Sequence, residues 1–94
     1  MLWRQTMVKL RDGREVDLEL FKFDSCPFCQ RVSRTIQELG IEGIRLRDTR
    51  MDPASSKELV ERAGKRQVPC LFIDGEPLFE SRDIMAWLRE NLGP

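Results

Sequence analysis

Histidine is absent from this 94-residue chain, and cysteine occurs only three times. Without imidazole, and with Cys70 as the one cysteine beyond the close pair Cys26 and Cys29, a single chain cannot supply the four sulfur or nitrogen ligands of a tetrahedral zinc site. No metal is therefore expected. Net charge is missing too: 16 lysines and arginines balance 16 aspartates and glutamates, so no overall field marks a nucleic acid or an anionic membrane as partner. The one basic stretch, Arg45 to Arg50 with Lys65 and Arg66 further on, is interrupted by Asp48 and lacks interleaved aromatics, so it reads as a solvated face. No apolar run is long enough to span a bilayer. Charges at Arg4, Lys9, Arg11, Asp12 and Arg14 break up the region where a secretory signal would be apolar. The expectation is a cytoplasmic protein in a reducing environment, where a close cysteine pair is more often catalytic or metal-binding than a structural staple. At this length one domain, residues 1–94, is expected.

What is present is a regular change of hydrophobic period. Val8 and Leu10, then Asp12-Gly13, then Val16, Leu18 and Leu20 alternate around a hairpin-type turn, and the second run leads into Phe21 and Phe23. From about Phe28 the apolar residues Val32, Ile36 and Leu39 recur at helical spacing, and Gly40 supplies the residue on which such a helix ends. Ile41, Ile44 and Leu46 predict a short strand. Asp52-Pro53 predicts a helix start, with Leu59, Val60 and Ala63 as the buried stripe before Gly64. Pro69 to Ile73 and Glu76 to Glu80 flank Asp74-Gly75 as an antiparallel pair. Ser81 stands at an N-cap position ahead of Ile84, Trp87 and Leu88, and Gly93-Pro94 stops that last helix. The order predicts an α/β fold with parallel strands first and an antiparallel hairpin last.

The chemistry concentrates at Cys26-Pro27-Phe28-Cys29, where a strand runs into a helix. A redox pair needs two thiols close enough to bridge, one of them exposed and stabilised as thiolate. If the helix begins near Phe28, its unpaired amide hydrogens and its dipole point toward the Cys26 sulfur and favour the negative form. Cys29, one turn in, is expected to be shielded and less acidic. Pro27 suits the first helical turn because it has no amide hydrogen to leave unpaired. Cys70, next to Pro69 at the start of a core strand, reads as a small hydrophobe.

At these residues the sequence resembles the glutaredoxins, whose motif is Cys-Pro-Tyr-Cys, with Phe28 at the position of the tyrosine. Val68-Pro69 and the following Cys70 to Ile73 are similar to that family's Thr-Val-Pro segment and strand, with Gln67 in place of the threonine. The resemblance implies a single thioredoxin-like domain, a four-stranded mixed sheet with helices on both faces; it does not account for residues 1–16, where the alternating pattern suggests an additional N-terminal strand or hairpin. It also implies a cis bond before Pro69, glutathione as co-substrate, and Cys26 and Cys29 as catalytic residues. Pro27, Phe28, Val68 and Pro69 would line the glutathione site, and Arg66 would meet the tripeptide's glycine carboxylate. Phe79 to Ile84 departs from the family's Gly-Gly pair and is similar to the amino-terminal domains of glutathione transferases. That likeness assigns Glu80 to the γ-glutamyl ammonium and Ser81, with the free amides of the last helix, to its carboxylate. Lys22 lies four residues before Cys26, where the family's lysine lies three before, so it is expected to point away from the site.

The expected activity is that of a monomeric oxidoreductase that reduces protein-glutathione mixed disulfides and protein disulfides, with glutathione and such proteins as partners. Two alternatives compete. A glutathione transferase would activate the glutathione thiol for attack on an electrophile, and normally needs a second, helical domain for which this sequence has no segment. A binding module would hold an iron-sulfur cluster between Cys26 and glutathione from two chains.

Overall fold

The structure, a computed structural model, describes residues 7–93. Residues 1–6 of the expected N-terminal extension, and Pro94 of the expected helix stop, lie outside the described residues. The elements are β1 (Val8–Lys9), β2 (Glu15–Val16), β3 (Leu18–Lys22), α1 (Pro27–Leu39), β4 (Arg45–Asp48), α2 (Pro53–Ala63), β5 (Cys70–Ile73), β6 (Glu76–Phe79) and α3 (Ser81–Asn91). Four of the strands form one mixed sheet in the order β4-β3-β5-β6, parallel between β3 and β4 and antiparallel elsewhere. Its two faces follow from side-chain alternation along β3 and β5. Leu18, Leu20 and Leu71 join Val32 of α1 and Ile84 and Leu88 of α3 in one buried cluster. Phe21, Cys70 and Phe72 point the other way and meet Leu59 of α2 in a second. The sheet thus has helices on both faces, as expected.

The apparent second run of the first hairpin is two strands. Val16 pairs with Val8 in a separate two-stranded sheet, and β3 begins two residues later in the main one. Asp17 is the joint. Its N–H donates to Asp74 Oδ1 at 2.7 Å and its carbonyl accepts from the Asp74 N–H at 2.8 Å, tying the change of sheet to the β5–β6 turn.

The N-terminal hairpin packs Val8, Leu10 and Val16 into the α1–α3 cluster, and its turn reaches the end of α3. Arg11 donates from Nη2 to the carbonyls of Arg89 and Leu92 at 2.8 and 2.9 Å, from Nη1 to Glu90 O at 3.4 Å, and from its own N–H to Asn91 O at 2.8 Å. These are the carbonyls that a helix C-terminus leaves unpaired, and the guanidinium also complements the negative end of the dipole. Arg11→Ala is expected to lower stability by about 1–2 kcal/mol, readable as a lower urea midpoint with an unchanged slope.

The strand after α1 differs from the expectation. Ile41 and Ile44 precede it, and β4 is Arg45-Leu46-Arg47-Asp48 at the sheet edge, with Leu46 58% exposed. The basic stretch is also not a solvated face throughout. Arg47 donates to Glu19 Oε2 at 2.8 Å, to Glu58 Oε1 at 2.9 Å and to Ser55 Oγ at 2.9 Å, while Arg45 donates to Asp17 Oδ2 at 2.7 Å. A buried carboxylate on the neighbouring strand, Glu19, draws these arginines onto the α2 face.

Candidate active site

β3 delivers the chain to the rim of the sheet and α1 carries it away, so residues 23–26 form a short turn between them. Cys26 has extended dihedrals (φ −79°, ψ 117°) and is the N-cap of α1. Its carbonyl accepts from the Gln30 N–H at 2.9 Å, and its Sγ accepts from the Cys29 N–H at 3.3 Å, so the sulfur occupies the place that a serine or aspartate oxygen takes in an ordinary cap. Pro27 starts the helix one residue earlier than the apolar spacing predicts. The sulfur thus faces an amide donor and the positive end of the α1 dipole.

Cys26 is not the open thiol that was expected. It keeps 6% of its accessible surface and Cys29 keeps 2%, because the cap geometry folds the sulfur back onto the first helical turn. Phe28 beside them is 54% exposed. Both cysteines are free thiols. The Cys29 thiol is pushed up to about 12, first by burial and then by its hydrogen bond to Cys26, with the Phe23 backbone and the Lys22 charge pulling the other way. Cys70 is fully buried on the α2 face and pushed up to about 11, again chiefly by burial.

Lys22 is held by carboxylates: its ammonium lies 2.6 Å from Asp24 Oδ1 and 3.7 Å from Asp48 Oδ2. With Asp24 and Cys29 it lines a depression of about 360 Å³ that includes none of the expected glutathione contacts.

Those contacts gather elsewhere. Phe28, Val68, Pro69, Glu80 and Ser81 line one depression of about 570 Å³, together with Arg31, Gln67 and Arg82. The Val68–Pro69 bond is cis. Ser81 is not the N-cap but the first helical residue, because the chain turns at Glu80, whose φ of 72° and ψ of 118° are rare for a side chain larger than glycine. No side chain caps α3, so the first-turn amides have no internal partner. Gln67 Nε2 donates to Glu80 Oε2 at 2.9 Å and fixes that carboxylate over the depression. Arg66 is not part of this set; it lines a different groove beside α2. Arg31 and Arg82 were not singled out by sequence reasoning. Arg31 sits one turn beyond Phe28, with its guanidinium 5.7 Å from that ring, a helical spacing that could have revealed it.

A cysteine that caps a helix, two residues before a Phe28 that shares one depression with a cis-proline and the uncapped start of a second helix, marks a candidate thiol site on a thioredoxin-like fold. The chain belongs to the glutaredoxin family, whose family model, described as Glutaredoxin, matches residues 18–78. Among curated relatives, Glutaredoxin 1 of Escherichia coli is 29% identical over 79 residues, covering 78% of this chain and 93% of its own length. Among solved structures, the thioredoxin-like protein BC3987 superposes with a TM-score of 0.67 at 20% identity, over 79% of this chain and 97% of that one. A glutathione transferase homologue from Drosophila mojavensis, solved with bound glutathione, gives a TM-score of 0.67 at 22% identity, over 80% of this chain but only 35% of that one. The likeness to the last two is one of fold.

Proposed function

We propose that this protein is a glutathione-dependent thiol-disulfide oxidoreductase in which Cys26 thiolate attacks the glutathionyl sulfur of a mixed disulfide. The Cys26–glutathione bond forms as the old disulfide breaks, and the departing thiolate takes a proton from solvent. A second glutathione then attacks the glutathionyl sulfur, leaving as oxidised glutathione and freeing Cys26; alternatively Cys29 attacks Cys26, releases glutathione and closes a Cys26–Cys29 disulfide that two further glutathione molecules reduce. One observation carries the reading: the Cys26 sulfur accepts a helix-terminal amide and stands two residues from Phe28, which begins the depression lined by Val68, Pro69, Glu80 and Ser81. In that depression the Val68 backbone pairs with the peptide backbone of glutathione, Glu80 meets its γ-glutamyl ammonium, and Ser81 with the free amides of α3 meets its γ-glutamyl carboxylate. Arg31 and Arg82 at the rim reinforce the attraction for anionic groups.

A titration with glutathione followed by amide shifts tests the site directly. Val68, Glu80 and Ser81 should move together, and shifts confined to residues remote from them would refute it. Glu80 supplies a sharper readout. Its left-sided φ is strained by about 1–2 kcal/mol, and glycine relieves that strain while adding a comparable freedom to the unfolded chain. Glu80→Gly is therefore expected to leave stability within about 1 kcal/mol of the parent while weakening glutathione binding about tenfold or more, as for loss of a charged hydrogen bond. Calorimetric titration beside thermal denaturation separates the two effects.

The same Glu80-Ser81 segment would serve a transferase equally well, and the fold likeness to a transferase homologue favours keeping that reading in the test. Conjugation of glutathione to an electrophile that persists in Cys26→Ser, with no disulfide reduction by the unaltered protein, would replace the oxidoreductase by the transferase.

A further inference from the structure

The basic stretch divides in the fold. Arg45 and Arg47 are occupied by Asp17, Glu19 and Glu58, and the Lys65 ammonium lies 4.3 Å from the Phe79 ring centroid. Arg50 and Arg66 are left over, and Lys57 of α2 joins them along a groove of about 530 Å³ floored by Pro53 and Val60. Glu61 is the only carboxylate among the groove's lining residues, so three cations face one anion. None of the three cations enters a salt bridge among the described residues. The groove shares no residue with the proposed glutathione depression, but the two are joined end to end in the chain, Arg66 lining one and Gln67 the other. Its other end reaches the residue before Cys26: Arg50 Nη1 donates to Ser25 Oγ at 3.2 Å, and its guanidinium stacks 4.1 Å over the Phe23 ring.

A glutathionylated protein presents two halves to Cys26, and only the tripeptide half has a place in the first depression. We propose that the groove of Arg50, Lys57 and Arg66 docks an acidic segment of the protein whose cysteine leaves when Cys26 attacks. The inference rests on the oxidoreductase reading and names its class of protein substrate. A row of three cations against one carboxylate, beside a partly apolar floor, recognises carboxylates on an extended peptide, and it raises encounter rates with such partners at low salt. The groove's lining includes no aromatic side chain on which bases could stack, which favours a peptide over a single-stranded nucleic acid. Arg66 is accordingly moved from the glutathione site to protein docking.

Binding can be measured without turnover. Cys26→Ser protein is titrated with two short cysteine-free peptides, one rich in glutamate and aspartate and one with the charges reversed, by fluorescence anisotropy. The acidic peptide should bind about tenfold more tightly or better, with a preference that fades as salt rises. Lys57→Glu should erase it; the exposed Lys57 lies in the N-terminal half of α2, where glutamate suits the dipole, so the fold is retained. In the unaltered active site, Lys57→Glu should lower kcat/KM for a glutathionylated acidic peptide about tenfold and leave a small glutathione mixed disulfide unchanged. Equal binding of both peptides, equal loss on both substrates, or an oligonucleotide bound as tightly as the acidic peptide would each overturn the proposal. If the peptide preference holds but no disulfide is reduced, the failure lies with the oxidoreductase reading and not with the groove.

Discussion

Cys26→Ser is expected to abolish reduction of a glutathione mixed disulfide, by at least about a thousandfold, while Cys29→Ser keeps a large part of it. A serine hydroxyl in the N-cap can still accept the Cys29 amide, so the fold survives and only the nucleophile is lost. The asymmetry comes from the environments of the two sulfurs. Cys29, pushed up to about 12, is overwhelmingly a thiol at neutral pH and cannot compete as a ready thiolate with free glutathione. Two of the causes that raise it, the hydrogen bond to Cys26 and the Cys26 charge, disappear once Cys26 is in a mixed disulfide, but burial, the largest, remains. Closure of the Cys26–Cys29 disulfide should therefore accelerate as pH rises, about tenfold per unit while Cys29 stays mostly protonated, and the difference between parent and Cys29→Ser should widen with it. Stopped-flow release of glutathione from the Cys26 mixed disulfide reads this directly. Equal activity in the two variants, or closure that ignores pH, would contradict the assignment of roles.

The parts of this fold that were legible in the sequence are those where local chemistry and global position agree. The α1 stripe ends at Gly40, whose φ of 66° suits glycine, and Asp52-Pro53 opens α2 with an aspartate cap. Cys26-Pro27 marks the strand-to-helix turn by itself. The misreadings arose where tertiary contacts outweigh local pattern. β3 alternates in the sequence, with Glu19 between Leu18 and Leu20, yet Glu19 is 2% exposed, because α2 covers that face and two neighbouring strands flank it. β4 carries arginines inward and a leucine outward, the reverse of what hydropathy suggests, since Glu19 pairs with the arginines and the strand lies at the edge. Ser81 has the chemistry of a cap, but the unusual dihedrals of Glu80 move the helix start by one residue, and no pattern of residue types announces a glutamate at positive φ. The candidate site was readable where it is a motif, Cys26 to Cys29 and Val68-Pro69, and unreadable where it depends on which side of residues 66–69 a side chain falls.

The second large effect lies on the α2 face of the sheet. Glu19 is the hub of a buried network: Arg47 and Arg62 each donate to it at 2.8 Å, Arg45 lies 3.5 Å away, and Glu58 joins the two nearer arginines at 2.9 Å. The Arg62 guanidinium also stacks 4.0 Å over the Phe72 ring. Glu19→Gln replaces the buried carboxylate by a neutral amide, while the partly exposed arginines keep Glu58 and Asp17 as partners, so the loss is that of charged hydrogen bonds, about 1.5–3 kcal/mol. For a domain of this size that is a large share of total stability and a fall in melting temperature of about 6–24 °C. The pH dependence follows from the same network. Burial by itself would raise the Glu19 carboxyl, but the hydrogen bonds from Arg62 and Arg47 and the charges of Arg45 and Arg62 outweigh it and hold the group below its ordinary value of 4.5. Glu58 is lowered in the same way, chiefly by Arg47. A carboxyl lowered by folding contributes stability that is fully present above its unfolded value and is lost as pH falls through its native one. Chemical denaturation repeated from neutral pH downward should show stability steady to about pH 5 and then dropping steeply in the parent. Glu19→Gln should start lower and fall less, because one of the protons taken up on acid unfolding has already been designed out. If the two curves run parallel, the arginine cluster derives its stability from packing on Phe21 and Phe72 and not from the Glu19 charge.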